Sequence, residues 1–174
     1  MRICIDPGHG GSDPGAIGLV PRRLEEKEFT LDVSLLLRQQ LQDLGHEVIM
    51  TRQQDQTRSL AARAAFANRF NAELFVSIHA NAAANPVPEG IEVFHFAGSD
   101  TGNELATRVQ DSLIAEFPDH RNRGVKEANF AVLRLTNMPA ILVECEFLTN
   151  PEQLLFLSDP GNRRRIAAAI ARGI

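Results

Sequence analysis

A chain of 174 residues is one domain long and buries enough surface to fold without staples. Its 44% hydrophobic and 23% charged residues describe a globular chain, and a net charge of −4 excludes a broad basic face for nucleic acid. Two cysteines, Cys4 and Cys145, exclude a disulfide framework, and no apolar run is long enough to span a membrane.

Met1 leads straight into an apolar strand over Arg2 to Ile5, with no secretory signal, so work outside the cytoplasm would need an export signal missing from this chain. A helical pattern follows from Glu26 to Leu44 and stops at Gly45. His46 to Met50 reads as a second strand, Arg58 to Phe70 as an Ala-rich helix, and Leu74 to Ile78 as a third strand. Ile91 to Phe96 alternates, with Ile91, Val93 and His95 on one face. Leu105, Val109 and Leu113 have helical spacing, and an extended stretch is expected around Phe130 to Leu133. Ile141 to Val143 forms a last buried strand, Asn150-Pro151 caps a helix, and a final helix runs from Asn162 to Ala171. Alternating strands and helices predict one α/β domain over residues 1–174. Its twisted, mostly parallel sheet would be covered by helices on both faces.

The polar residues fall in a pattern on this scaffold. His9 lies just past the first strand, His79 just past the third, and Glu144 just past the last. Ligands of open α/β sheets bind outside the carboxyl ends of the strands, so these three side chains point to a shared site. A catalytic zinc often takes two histidines and a carboxylate, leaving one position for water. The candidate carboxylates are Glu25, Glu26 and Glu28 at the start of the first helix. At about 100° per residue, Phe29, Val33, Leu36, Leu37, Leu41 and Leu44 share one face. Glu26 projects near the middle of that face, Glu25 toward its margin and Glu28 well off it. A carboxylate turned toward an apolar sheet needs a partner, and a metal would supply one. The glycines around His9 lack dinucleotide-binding spacing and read instead as backbone freedom for the His9 turn.

Four motifs now carry a family resemblance. Ile5-Asp6-Pro7-Gly8-His9-Gly10-Gly11 with Asp13-Pro14-Gly15-Ala16 resembles the opening motif of the zinc-dependent N-acetylmuramoyl-L-alanine amidases. Glu26-Lys27 with Leu31 resembles their second motif, and Ser77-Ile78-His79-Ala80-Asn81 their third. Pro139-Ala140-Ile141-Leu142-Val143-Glu144 with Phe147-Leu148-Thr149-Asn150 resembles their last. The resemblance implies that His9, Glu26 and His79 hold one Zn2+ per chain and that Glu144 is the catalytic glutamate. It also implies hydrolysis of the amide joining the lactyl group of N-acetylmuramic acid to L-alanine. The substrate would be peptidoglycan or a muramyl-peptide, met by a monomer in the periplasm, cell wall or extracellular space. Glu146 stands where many family members have a small residue, and it is expected to make the surroundings of Glu144 more acidic. Asn81 is either a substrate or supporting contact or a turn-capping Asn. His95 is expected to be structural, His46 and His120 to lie on the surface, and Arg163-Arg164-Arg165 to form a solvated face.

Two rival readings remain at this stage. A thiol hydrolase would use Cys145 with His79 as base, but it leaves His9 and Glu26 without a role. A non-catalytic wall-binding module would not need Glu144. The interval from Asn81 to Pro139 leaves only Pro118 to Glu127 unassigned, and that stretch lacks the apolar stripe of a docked helix. An open groove is therefore expected, in a domain cut from a longer protein.

Overall fold

In a computed structural model describing residues 1–174, the chain begins with β1 (Arg2–Pro7), the short pair β2 (Ile17–Gly18) and β3 (Leu24–Glu25), and α1 (Glu26–Asp43). It continues through β4 (Glu47–Met50), α2 (Leu60–Arg69), β5 (Leu74–Asn81), β6 (Ile91–His95) and α3 (Asp100–Glu116). The last elements are β7 (Asn122–Glu127), α4 (Ala131–Arg134), β8 (Ala140–Phe147), α5 (Pro151–Ser158) and α6 (Pro160–Gly173). Six strands form one sheet in the order β4-β1-β5-β8-β6-β7. The first four run parallel, β6 is antiparallel to β8, and β7 is parallel to β6. The architecture is thus the expected α/β domain, with its last two strands reversed.

The two faces of the sheet are covered unequally. On one side α1, α3, α5 and α6 close a cluster of 29 buried hydrophobic residues, including Ile3, Ile5, Phe29, Val76, Leu105, Val143 and Ile170. On the other, α2 and α4 close a cluster of only 8, around Cys4, Phe75, Ala67 and Leu142. Helix α1 packs Phe29, Val33, Leu37 and Leu41 onto the thick side, as its periodicity predicts. Leu44 departs from that stripe: it is the C-cap and stands exposed, with Gly45 turning the chain away at φ +84.

Several expectations need correcting. Strand β5 continues to Asn81 and β8 to Phe147, so His79 and Glu144 sit within strands and not beyond them. The reason is that the ladder persists past the apolar run: His79 pairs in register with Glu144, and Glu144 with Glu92. Phe130 to Leu133 is not extended; Ala131–Arg134 forms one helical turn that buries Val132 and Leu133. A four-residue apolar run does not distinguish the two states. The unassigned Pro118 to Glu127 stretch contains the edge strand β7. Arg163 is not a solvated residue either: it donates to Asp32 at 2.7 Å and lies over the Phe29 ring, tying α6 to α1.

Candidate active site

The site starts from the loop after β1. Gly8 continues the ladder by donating to the Ile78 carbonyl at 3.0 Å, and His9 then takes a left-handed φ of +60. Such a conformation is unfavourable for a residue with a side chain, and the surroundings hold it in place. Two buried arginines do so. Arg52 donates to the carbonyls of Pro7 and Gly8 at 3.1 and 2.9 Å, and Arg63 to those of Pro7 and His9 at 2.6 Å each. Arg63 is balanced by Asp6 at 2.9 Å, and Asp6 is itself held by Thr51 and Ser77. Gly8 is required for a different reason. A Cβ there would fall 2.3 Å from Cε1 of His79, so only glycine lets the loop lie against that ring.

Glu26, the first residue of α1, reaches over the ends of β1 and β5. It is 4% exposed. Its Oε2 lies 3.0 Å from His9 Nε2, and its Oε1 lies 3.0 Å from His79 Nδ1 and accepts from the Ala80 N–H at the same distance. Burial alone would raise its pKa, but the bonds from His79 and His9 win and hold the carboxyl well below the usual range. The two rings stand edge to face with centroids 5.0 Å apart. Burial works against a charge on His9, yet Glu26 and Asp13 outweigh it and raise its pKa. Glu25 instead pairs with Arg23 and Lys27, and the Glu28 carboxylate turns back to the Glu25 N–H, so neither enters the site.

The donor set fits a metal. One ligand atom from each of His9, Glu26 and His79 lies within 4.8 Å of the others. Two imidazoles and a carboxylate, with no further protein donor, match an open catalytic zinc site better than a closed structural one. The remaining nitrogen of His9, Nδ1, lies 2.9 Å from Asp13 Oδ2, the arrangement that commonly fixes the ring of a metal-bound histidine. Asp13, present in the opening motif, had no role assigned from sequence; its place four residues after His9 was the available signal.

Glu144 stands beside this group on β8, on the sheet face opposite to Cys145. Its Oε2 is buried and has no hydrogen-bond partner. Burial pushes its pKa up, and the charges of Glu26 and Glu92 push it further. The acidic neighbours are therefore Glu26 and Glu92, the latter missed by sequence reasoning, and not Glu146. Glu92 lies directly across the ladder from Glu144 and is 3% exposed. It is held by Arg123 at 3.0 Å, by Lys126, and by the Asn81 side-chain amide at 2.6 Å. Asn81 also accepts from the Ala82 N–H, so its side chain is engaged at both ends.

Glu146 turns away from Glu144. It adopts φ +134, a region suited to glycine, and its carboxylate accepts from the Gly90 N–H and binds His120 Nδ1 at 2.8 Å. His120 is consequently not a free surface residue: it packs against Phe117 and Phe156. His95 is buried, as expected, with Nδ1 at 3.0 Å from the Phe96 carbonyl oxygen. Cys145 is fully buried in the thick core, away from His79, and its thiol pKa is pushed well up by burial and the flanking glutamates. That removes the chemical basis of a thiol mechanism.

With this geometry established, the chain can be compared with known proteins. The model of the N-acetylmuramoyl-L-alanine amidase family matches residues 3–174. The chain belongs to this family. It is 38% identical over 176 residues to N-acetylmuramoyl-L-alanine amidase CwlM of Bacillus licheniformis, covering 100% of this chain and 67% of that protein. It is 33% identical to N-acetylmuramoyl-L-alanine amidase AmiC of Neisseria meningitidis serogroup B, with coverage of 99% and 51%. The chain thus spans about half to two thirds of the length of these curated relatives. Among solved structures, the N-acetylmuramoyl-L-alanine amidase from Clostridium difficile 630 superposes with a TM-score of 0.95 at 36% identity. That match covers 99% of this chain and 93% of that one. The α/β domain described above is thus shared with that amidase over nearly its whole length.

Proposed function

We propose that this chain is the catalytic domain of a zinc-dependent amidase that cleaves the bond between N-acetylmuramic acid and L-alanine in peptidoglycan. The observation that carries this reading is the convergence of His9, Glu26 and His79 beside the unpartnered carboxylate of Glu144. Family membership supports the substrate class. The chain would act as a monomer at the cell wall or in the periplasm, and no helix is long and apolar enough to cross a membrane.

His9, Glu26 and His79 would hold the zinc. Bound there, it would supply Lewis acidity, bringing the pKa of water toward about 7 and drawing charge from a carbonyl oxygen. The protein's own residues do the rest. Asp13 orients His9 through Nδ1, and Arg52 and Arg63 hold the loop from which His9 projects. Glu144, through its free Oε2, accepts a proton from the attacking water and returns it to the leaving nitrogen of L-alanine. Its raised pKa suits the second of these roles, because a carboxyl that holds a proton can deliver it. Glu92 carries its charge paired to Arg123 and Lys126, which limits repulsion on Glu144 when it ionises. Between Asn81 and Pro139, α3 packs on α6 and β6 and α4 on α2, which supports an open groove over the site.

The test measures zinc content and amine release from purified peptidoglycan by the zinc-loaded chain. Glu144→Gln should keep its zinc and lose a factor of about 10² to 10⁴ in rate. Glu26→Gln should lose zinc, whereas Glu25→Gln should change neither. Full turnover by Glu144→Gln, or zinc retained by Glu26→Gln and lost by Glu25→Gln, would refute the assignment.

A further inference from the structure

Alongside His9 and His79 lies a cleft of about 370 Å³, whose far wall is formed by Arg58, Ser59 and Leu60 at the start of α2. The charged groups of this cleft are mostly committed. Arg63 is engaged by Asp6 and by the Pro7 and His9 carbonyls. Asp13 is taken by His9 and by the Gly15 N–H. Arg58 is the exception. Its guanidinium lies over the Phe66 ring, with Cζ 5.2 Å from the centroid, and its Nε is buried with no hydrogen-bond partner. It makes none of the protein's ion pairs.

A guanidinium stacked on an aromatic ring is held flat, with its donor edge free for a planar, two-oxygen acceptor. Nε is enclosed by the protein itself, so the donors that a ligand in the cleft can reach are the terminal nitrogens of Arg58, which make no hydrogen bond within the protein. The acceptor belongs to the substrate, because the cleft opens onto the same two histidines that bound the reaction site. We propose that Arg58 binds a carboxylate carried by the stem peptide beside the scissile amide. The chain would then favour substrates whose residue after L-alanine bears a free carboxylate over those in which that group is an amide. This rests on the amidase reading above.

The comparison uses two probes that differ only in that group, N-acetylmuramyl-L-alanyl-D-isoglutamate and its D-isoglutamine counterpart. For the zinc-loaded chain, kcat/KM should favour the acid by about tenfold or more, the range of a charge-assisted hydrogen bond. Arg58→Gln should bring the ratio close to one, and added salt should shrink it in the parent. Calorimetric binding of both probes to zinc-loaded Glu144→Gln should give the same order in Kd without any turnover. Equal handling of the two probes by the parent overturns the proposal, and this comparison needs no variant at position 58. So does a preference that survives Arg58→Gln, or a failure of both probes to bind. If neither probe is hydrolysed but the acid still binds more tightly and loses that advantage in Arg58→Gln, the amidase reading fails and the carboxylate site stands.

Discussion

Asp13→Ala removes two contacts beside the site and leaves every proposed zinc ligand in place. Asp13 Oδ2 lies 2.9 Å from His9 Nδ1, and its other oxygen accepts from the Gly15 N–H at 3.0 Å. The variant therefore frees the His9 ring to rotate and loosens the turn in which Gly15 lies against Glu26. Partners of metal-bound histidines typically contribute 10- to 100-fold in metal affinity. The Asp13 side chain is 57% exposed, so water replaces part of what is lost. The expected loss is then near the lower end, about tenfold in zinc affinity. Asp13→Asn, which keeps an acceptor but no charge, should fall between the two. Competition with a chromophoric chelator measures the affinity, and far-ultraviolet circular dichroism checks that the fold persists. A folded Asp13→Ala protein that holds zinc as tightly as the parent would refute the idea that this contact fixes His9.

Gly8→Ala should displace the His79 ring, because the added Cβ would stand 2.3 Å from Cε1; a full zinc complement by metal analysis would contradict this. Arg63→Met should cost about 3–5 kcal/mol in urea unfolding, since it strands Asp6 at 1% exposure, and an unchanged midpoint would count against it. Cys4 and Cys145 are both fully buried with raised pKa values, so a thiol reagent should label neither in the native chain and both after denaturation. Loss of activity on labelling the native chain would reopen the thiol mechanism.

What could be read in advance depended on how local the signal was. Glu26 is separable from Glu25 and Glu28 because a helix has a fixed angular step, and the structure does bury Glu26 alone between the two histidines. His9 and His79 are legible because each follows an apolar run. Glu92 is not, because its position opposite Glu144 depends on the register of an antiparallel strand that no local pattern specifies. Arg63 is not legible: a charged residue in a helix is ordinarily exposed, and the partners that bury it, Asp6 and the Pro7 and His9 carbonyls, lie more than fifty positions away. Glu146 shows the converse. Its chemistry suggested an effect on its neighbour, whereas its backbone angle carries the side chain elsewhere.

The unequal covering of the sheet bears on how the molecule opens. Helices α2 and α4 rest on a cluster of 8 buried residues, and α4 is a single turn. Segments with so little buried apolar contact exchange their amide hydrogens through local opening, well before the whole domain unfolds. The slowest exchange should therefore lie in β1, β5 and β8 and in the helices of the thick side, with α2 and α4 faster. Arg63 belongs to α2, and it grips the carbonyls of Pro7 and His9. Each excursion of α2 releases that grip, so the lifetime of the His9 turn is tied to the least protected layer of the protein.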